Sequence, residues 1–305
     1  MARVHIVMAS YNGETYIREQ LDSLLNQTFT DFHIEVCDDG STDRTKEIVR
    51  EYEKRDGRVS LHCNEENLGY VQNFMQGVLR SEAPYTMLCD QDDIWNPDKI
   101  EVTLAAMEQA EKQVENVPVL VYTDAMNYDS ETGKKMGSFH ANSHLDTKKV
   151  DTAHLFMENK CIGCTVMVNG QIRSFLQKIP EEIRVHDWWL ALICSHFGKV
   201  VYVNKPTLLY RQHSGNIIGG SSYTSYVKKR LSGIAGQKEA LRKTYRQGRA
   251  FLALYRDRMD DAQLEIAEHF AGMEHAGWLI RRIDMIKYGF TKSGFVRNAG
   301  LFFLL

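Results

Sequence analysis

Short apolar runs of buried-strand length punctuate the first part of the chain: Val4 to Ala9, His33 to Cys37, Val59 to Cys63, Tyr85 to Cys89 and Val119 to Thr123. Between them lie helix-length stretches, roughly Glu14 to Asn26, Asp43 to Arg55, Tyr70 to Leu79 and Pro97 to Lys112. Asn96-Pro97-Asp98 reads as a helix start, with an N-cap residue, proline at the first helical position and an acid in the first turn. Strand and helix alternating at this spacing predict an α/β fold, a Rossmann-like, mainly parallel sheet with helices on both faces. The pattern lapses over the polar stretch Asp124 to Asn159, where a turn is expected at Ser130 to Lys134. It returns as a strand at Gly163 to Val168, a helix at His186 to Phe197 and a strand at Val200 to Val203. After Gly219-Gly220-Ser221-Ser222 two long basic helices are expected, Tyr226 to Arg258 and Asp261 to Tyr288, before the apolar ending Gly300 to Leu305. The boundary is placed there, giving an α/β domain over 1–222 and a helical segment over 223–305.

Ligands of such sheets bind beyond the carboxyl ends of the strands. The loops at those ends read Ser10-Tyr11-Asn12-Gly13, Asp38-Asp39-Gly40-Ser41, Asn67-Leu68-Gly69 and Asp90-Gln91-Asp92-Asp93, so four polar loops are expected to meet on one edge. Carboxylates packed as closely as Asp90, Asp92 and Asp93 are hard oxygen ligands suited to Mg²⁺ or Mn²⁺, an ion that would bridge protein to a substrate diphosphate. A solvated acidic loop is the plainer alternative, and the position directly after a buried strand favours the ion. Cys161-x-x-Cys164 has no second pair at zinc spacing and reads as buried packing.

Composition sets the outer bounds. The chain has 305 residues, 43% hydrophobic and 25% charged, which excludes a disordered or fibrous protein. Its six cysteines show no disulfide framework, no apolar run reaches membrane-spanning length, and Met1 to Ser10 lacks the pattern of a secretory signal, so a reduced, cytoplasmic protein is expected. The net charge of −3 hides a division: 223–305 carries 15 Lys and Arg against 8 Asp and Glu, or +7, leaving −10 on the rest. Such asymmetry suggests an anionic partner for the helical segment, or a solvated helical face.

The loop residues resemble those of family 2 glycosyltransferases with the GT-A fold. The matching stretches are Val7-Met8-Ala9-Ser10-Tyr11-Asn12-Gly13, Gln27-Thr28-Phe29, Asp38-Asp39-Gly40-Ser41-Thr42-Asp43, Asn67-Leu68-Gly69 and Asp90-Gln91-Asp92-Asp93-Ile94-Trp95, in order and at the family's spacing. His186-Asp187-Trp188-Trp189 and Leu209-Tyr210-Arg211-Gln212-His213 look like the subgroup of rhamnosyltransferases that assemble bacterial surface polysaccharides. The resemblance implies that Ala9, Tyr11 and Asp39 hold the nucleobase of a nucleotide-sugar donor, the tyrosine by stacking and the aspartate by accepting the pyrimidine N3 proton. Asp38 joins them or bonds its own turn, Asp90 contacts the ribose, and Asp92 ligates the metal while Asp93 orients the loop. Asn67 and Asn73 orient the donor or serve turn and helix packing. His213 supplies a further metal ligand or is a lone surface histidine. Arg211 approaches the diphosphate or is an ion-pair partner.

The implied reaction is inverting displacement at the anomeric carbon, with Asp187 as the general base and a divalent cation neutralising the departing diphosphate. A carboxylate serving only the helix N-terminus is the alternative for Asp187. His186 stands where the family more often has Glu, and Trp188 and Trp189 are expected to divide between core and acceptor wall. Transfer of rhamnose from dTDP-L-rhamnose to a lipid-linked or growing glycan is the leading expectation. A UDP-sugar donor is the alternative, followed by a non-catalytic nucleotide- or glycan-binding module; a sugar nucleotidyltransferase would need a glycine-rich basic loop that Ser10 to Glu14 lacks. For 223–305 the expectation is docking on the anionic inner face of the membrane through Lys228, Lys229, Arg230, Arg242, Lys243, Arg246 and Arg249, with Leu301 to Leu305 inserting shallowly or covering a homodimer contact. Nucleic acid is not expected, because the segment has none of the usual binding motifs.

Overall fold

A computed structural model of the chain describes residues 2–212 and 233–305. His213, the expected boundary at Ser222 and the basic run Lys228 to Arg230 lie outside the described residues.

Four strands form one half of the sheet: β1 (Val4–Ser10), β2 (Phe32–Asp38), β3 (Val59–Cys63) and β4 (Tyr85–Asp90). All their pairings are parallel, in the order β3-β2-β1-β4. Buried parallel strands need apolar side chains on both faces, and Val4, Ile6, Val7 and Met8 of β1 are wholly buried. The crossover helices α1 (Ile17–Leu25), α2 (Thr45–Arg55) and α3 (Tyr70–Arg80) each turn an apolar stripe to the sheet.

Beyond β4 the sheet becomes mixed. A short β5 (Ile94–Trp95) precedes α4 (Lys99–Glu111), followed by β6 (Val119–Asp129), β7 (Lys134–Ser138), α5 (Phe139–Ser143) and α6 (Thr152–Met157). The expected turn at Ser130 to Lys134 joins β6 to β7. The strand expected from Gly163 begins as a 3-10 turn, Gly163–Thr165, and becomes β8 only over Val166–Asn169. Helix α7 (His186–Phe197) has the expected bounds, and β9 (Lys199–Gln212) runs far past the expected Val203. In the sheet β8 lies antiparallel between β4 and β6, β9 lies parallel to β6, and β5 closes antiparallel against β9.

Helix α4 starts two residues later than its sequence suggests. Its N-cap is Asp98, without a side-chain cap bond. Tertiary bonds take the expected cap residues: Asn96 Nδ2 donates to the Pro206 carbonyl, and the Pro97 carbonyl accepts from the Thr28 amide at 2.9 Å. Gln27 Nε2 donates to the Asn96 carbonyl at 2.8 Å, so the Gln27-Thr28 stretch clamps the chain that leaves the acidic loop.

The C-terminal part folds as α8 (Ile234–Tyr255), α9 (Asp261–Gly272), α10 (Trp278–Tyr288) and α11 (Phe295–Leu304). The expected second helix is broken between Gly272 and Gly277, because glycine weakens helix at both positions. These helices share a core with the sheet layer: Phe156 of α6 stacks on Phe270 at 4.6 Å, and Trp189 of α7 meets Phe251 at 5.5 Å. Helix α8 buries Leu241, Tyr245, Phe251 and Tyr255 in that core. Arg242 and Arg246 approach Glu239, and Arg249 pairs with Glu274, so much of the charge expected to face a membrane is spent within the fold. No helix among the described residues is long and apolar enough to cross a membrane.

Candidate active site

Register places the four loops side by side. Ser10 pairs with Asp38, Ala9 with Asp90 and Asp38 with Cys63, so each strand delivers its loop to the same edge. Loop–loop hydrogen bonds then fix them. Asn12, in the left-handed region at φ 48°, accepts from the Thr42 amide, and its own amide donates to Ser41 Oγ. The Tyr11 amide donates to Gln91 Oε1 at 3.0 Å while Gln91 Nε2 donates back to the Tyr11 carbonyl at 3.1 Å. That reciprocal pair holds the Tyr11 backbone against the acidic loop and leaves its ring 50% exposed, as a stacking platform requires. It also needs glycine at position 13, where a Cβ would lie 2.1 Å from Gln91 Oε1.

Asp38 and Asp39 do different work. Asp38 is buried and accepts from Ser10 Oγ, the Ser41 amide and Ser41 Oγ, which holds its own turn. Asp39 accepts from Asn64 Nδ2 and from the amides of Leu68 and Gly69, each at 2.8 Å. A carboxylate offers about four acceptor positions, so Asp39 organises the third loop and keeps capacity for one further donor. Asn67 Nδ2 donates to the Asp39 carbonyl, and Asn73 Nδ2 to that of Cys37, which places both in loop and helix support. Gly69 sits at φ 76°, ψ 152°, a conformation open to glycine alone, where α3 begins.

The acidic loop crowns a buried polar cluster. Burial, with the nearby charges of Asp92 and Asp187, pushes Asp90 up to about 7, partly offset by a hydrogen bond from Cys164. Asp93 is 1% exposed and is held well above the usual carboxylate range by burial and by Asp92 and Asp90. Its Oδ1 accepts from the Arg211 amide at 3.2 Å, and its Oδ2 is buried without a partner. Ligand atoms of Asp90, Asp93 and Cys164 lie within 4.8 Å of one another. Crowded carboxylates with an orphaned oxygen fit a divalent cation, whose charge would reverse the repulsion that raises them. The Cys164 thiol is itself raised by burial and stays protonated, so it donates to the cluster rather than ligating a hard ion. Beneath it Lys99 is wholly buried, its amine 4.5 Å from the Trp95 ring and lowered by burial to about 8.

Arg211 is buried beside this loop. Its Nε donates to the Asp92 carbonyl at 2.7 Å and its guanidinium pairs with Glu19, so in this form it braces the acidic loop against α1 and β9.

Asp187 lies in the first turn of α7, 6% exposed, and burial pushes it up to about 6. Asn159 Nδ2 donates to its Oδ2 at 3.1 Å, and the Trp188 amide to its Oδ1 at 2.8 Å. Asp187 and Asp90 are close enough for one charge to raise the other, and Tyr70 feels both. The α7 carboxylate therefore lies near the acidic loop.

The residue before Asp187 is not a charged acceptor contact. The His186 ring stacks on Phe74 at 4.1 Å, makes no hydrogen bond through either nitrogen, and is held neutral by burial, which lowers it to about 3. Trp188 and Trp189 are both core residues, 5% and 0% exposed, which removes the expected acceptor-wall tryptophan. Asn159, Tyr70, Gln91 and Cys164 join the site without a sequence signal of their own, except that Cys164 belongs to the Cys-x-x-Cys spacing read as packing. The Asn159 segment is fixed from both sides: His140, paired with Asp124 at 2.8 Å, approaches the Lys160 carbonyl, and Glu158 accepts from the Ser293 amide and pairs with Arg297.

Comparison with known proteins agrees with this geometry. The dTDP-rhamnosyl transferase RfbG of Shigella flexneri is 29% identical over 237 residues, covering 73% of this chain and 78% of that protein. Among solved structures, S. aureus TarS 1-349 in complex with UDP-GlcNAc superposes with a TM-score of 0.59 at 15% identity, covering 88% of this chain and 70% of that one. The mannosyltransferase PcManGT from Pyrobaculum calidifontis, in complex with GDP-Man and Mn²⁺, gives 0.54 at 13% identity, covering 94% and 80%. Those two likenesses establish the fold. Residues 5–161 match the sequence pattern of Glycosyl transferase family 2, and with that pattern laid over these loops the chain belongs to that family.

Proposed function

We propose that the protein is an inverting, metal-dependent glycosyltransferase that moves L-rhamnose from dTDP-L-rhamnose to a lipid-linked or growing surface-polysaccharide acceptor. The observation that carries the reading is the buried Asp187 carboxylate, held by Asn159 and electrostatically coupled to Asp90 across the loop edge. At pH 7 a carboxylate with a proton affinity near 6 is mostly ionised yet basic enough to take a proton from an acceptor hydroxyl.

The remaining parts are assigned from the family resemblance of the loop residues. Tyr11 supplies the stacking face for the nucleobase and Asp39 the acceptor for its N3 proton, while small Ala9 leaves room for the thymine methyl. Asp90 meets the ribose, with Asn67 and Asp38 keeping the loops in place, and Arg211 holds the acidic loop and lends positive charge near the diphosphate. Asp92, together with His213 from outside the described residues, would hold Mg²⁺ or Mn²⁺, and Asp93, clustered with Asp90 and carrying an orphaned oxygen, is a further carboxylate that could reach the ion. When bound, that ion supplies charge neutralisation for the departing diphosphate. The likeness to RfbG supports the rhamnosyl donor.

The test compares dTDP-L-rhamnose, UDP-glucose and UDP-N-acetylglucosamine for turnover with each ion, in the wild type and in Asp187→Asn. Preference for dTDP-L-rhamnose, and a 10²- to 10⁴-fold slower transfer in Asp187→Asn with donor binding retained, are the expected results. Preferred use of a UDP-sugar removes the rhamnosyl assignment; an Asp187→Asn rate within a few-fold of wild type removes the base.

A further inference from the structure

Helices α10 and α11 bury Met285 and Leu301 but carry most of their large apolar side chains on the outside. Trp278 is 65% exposed, Ile286 74%, Phe295 86% and Phe303 84%, with Leu279 and Ile283 at half or more. Positions 279, 283 and 286 follow one another at i, i+4 and i+7, the face on which a helix bathed in water places its charges. The single acid of α10, Asp284, is turned inward to His269. The rings of Trp278, Phe295 and Phe303, at about 150 to 250 Å² each, expose roughly 350 to 600 Å² by themselves, which already fills the largest patch usual on a soluble monomer.

The two helices form one platform. Arg282 lies between the rings of Trp278 and Phe302, 3.9 and 5.0 Å from their centroids, and donates to the Phe302 carbonyl. Arg281 donates to the carbonyls of Leu305 and Glu274. Both guanidinium groups thus join the helices through carbonyl oxygens, Arg282 as a buried residue and Arg281 as a half-buried one at the edge of the apolar face. From 278 to 305 there are five Lys and Arg against one acid, and that acid is buried.

We infer that the α10–α11 hairpin is a docking face for an anionic lipid bilayer, its exposed apolar side chains entering the acyl boundary and Arg281, Lys287 and Lys292 meeting the headgroups. Exposed apolar area with a basic rim is the pairing an in-plane interfacial helix needs, and tryptophan at its edge suits the headgroup level. Within the hairpin the charged residues that are not buried, Arg281, Lys287 and Lys292, are all positive, with Glu265 of α9 paired to Lys287, and that excess of positive charge favours an anionic surface over a second copy of the chain. The hairpin is rigidly fastened to the rest of the molecule: Ser293 and Arg297 bind Glu158, next to the Asn159 that holds Asp187. Docking would therefore set the orientation of the loop edge toward the lipid surface. The basic surface expected along α8 thereby gives way to the last two helices, where of the expected Leu301 to Leu305 it is Phe302 and Phe303 that are exposed while Leu301 and Leu305 are buried; the inference is independent of the donor and the base assigned above.

Trp278 makes the test direct, since the other three tryptophans, Trp95, Trp188 and Trp189, are buried. The full chain and the triple variant Ile286→Asp, Phe295→Asp, Phe303→Asp are sedimented with vesicles of phosphatidylcholine alone or with phosphatidylglycerol at three parts in ten, across a salt series. Trp278 emission and its quenching by brominated acyl chains are read in parallel, and sedimentation velocity without lipid gives the oligomeric state. Expected is binding to the anionic vesicles at least about tenfold above the neutral ones, weakened by salt, with a blue-shifted and quenched Trp278 and a similar loss in the triple variant. The three positions are solvent-facing, so the circular dichroism and thermal midpoint of the variant stay close to those of the wild type and show that it is folded. Vesicle binding equal in both proteins, an unquenched Trp278, or a lipid-free dimer that the triple variant dissociates without any vesicle binding by the wild type would overturn the inference.

Discussion

Replacing Asn159 by Ala removes the side-chain hydrogen bond to Asp187 Oδ2 and leaves the Trp188 amide on Oδ1. Burial raises Asp187 to about 6, and the Asn159 bond is the leading influence that restrains the rise. A hydrogen bond to a charged group is worth about 1.5 to 3 kcal/mol, and one pKa unit corresponds to about 1.36 kcal/mol, so the loss should lift Asp187 by roughly one to two units. The sign follows from the role of a base: only the ionised carboxylate accepts a proton, so activity falls as pH drops through its pKa, and raising the pKa moves that fall to higher pH. At pH 7 the variant should be roughly two- to tenfold slower than wild type, and near pH 9 the two should converge. The assay is kcat against pH at saturating donor and cation, conditions that hold Asp90 in one state. A profile coincident with wild type, one displaced to lower pH, or a defect that persists undiminished at pH 9 would refute the reasoning.

Asp92→Ala should abolish transfer while the thermal midpoint stays within a few degrees of wild type, because the residue lies in a half-buried loop rather than in the core; undiminished wild-type activity after exhaustive chelation would remove the need for the ion. Gly13→Ala should drive Gln91 away from the Tyr11 backbone, raising the donor KM about tenfold for the loss of two hydrogen bonds while kcat stays nearly constant; steady-state kinetics at fixed cation decide this, and an unchanged KM would mean that the pair does not order the donor loop.

The parallel half of the sheet was legible because strands buried on both faces are mostly apolar, as Val4, Ile6, Val7 and Met8 of β1 and Met87, Leu88 and Cys89 of β4 are. The later strands carry weaker signals. The far end of β9 leaves the apolar run at Asn204-Lys205 and pairs with β6 across a register shift, so its sequence reads as loop. Asn96 and Pro97 mislead for a related reason: Gln27, Thr28 and Pro206, distant in sequence, claim the groups that would have capped α4. The site shows the same split. Its loop residues stand out because a polar cluster directly after a buried strand falls where sheets of this kind bind their ligands, whereas Asn159 and Gln91 acquire their parts only from partners 28 and 80 residues away.

The position of β8 has a consequence for how the chain is made. Strands β1 to β4 can pair as soon as residue 90 has left the ribosome, but the free side of β4 waits for Val166–Asn169, and the acidic loop waits longer still for Arg211. Throughout that interval the growing chain presents an apolar, unpaired edge, the form of intermediate most prone to joining a neighbouring chain. A nascent chain halted between β4 and β8 would hold most of the nucleotide-side loops yet be both inactive and adhesive. Slow translation before residue 170 should therefore lower soluble yield more than the same delay placed after residue 212.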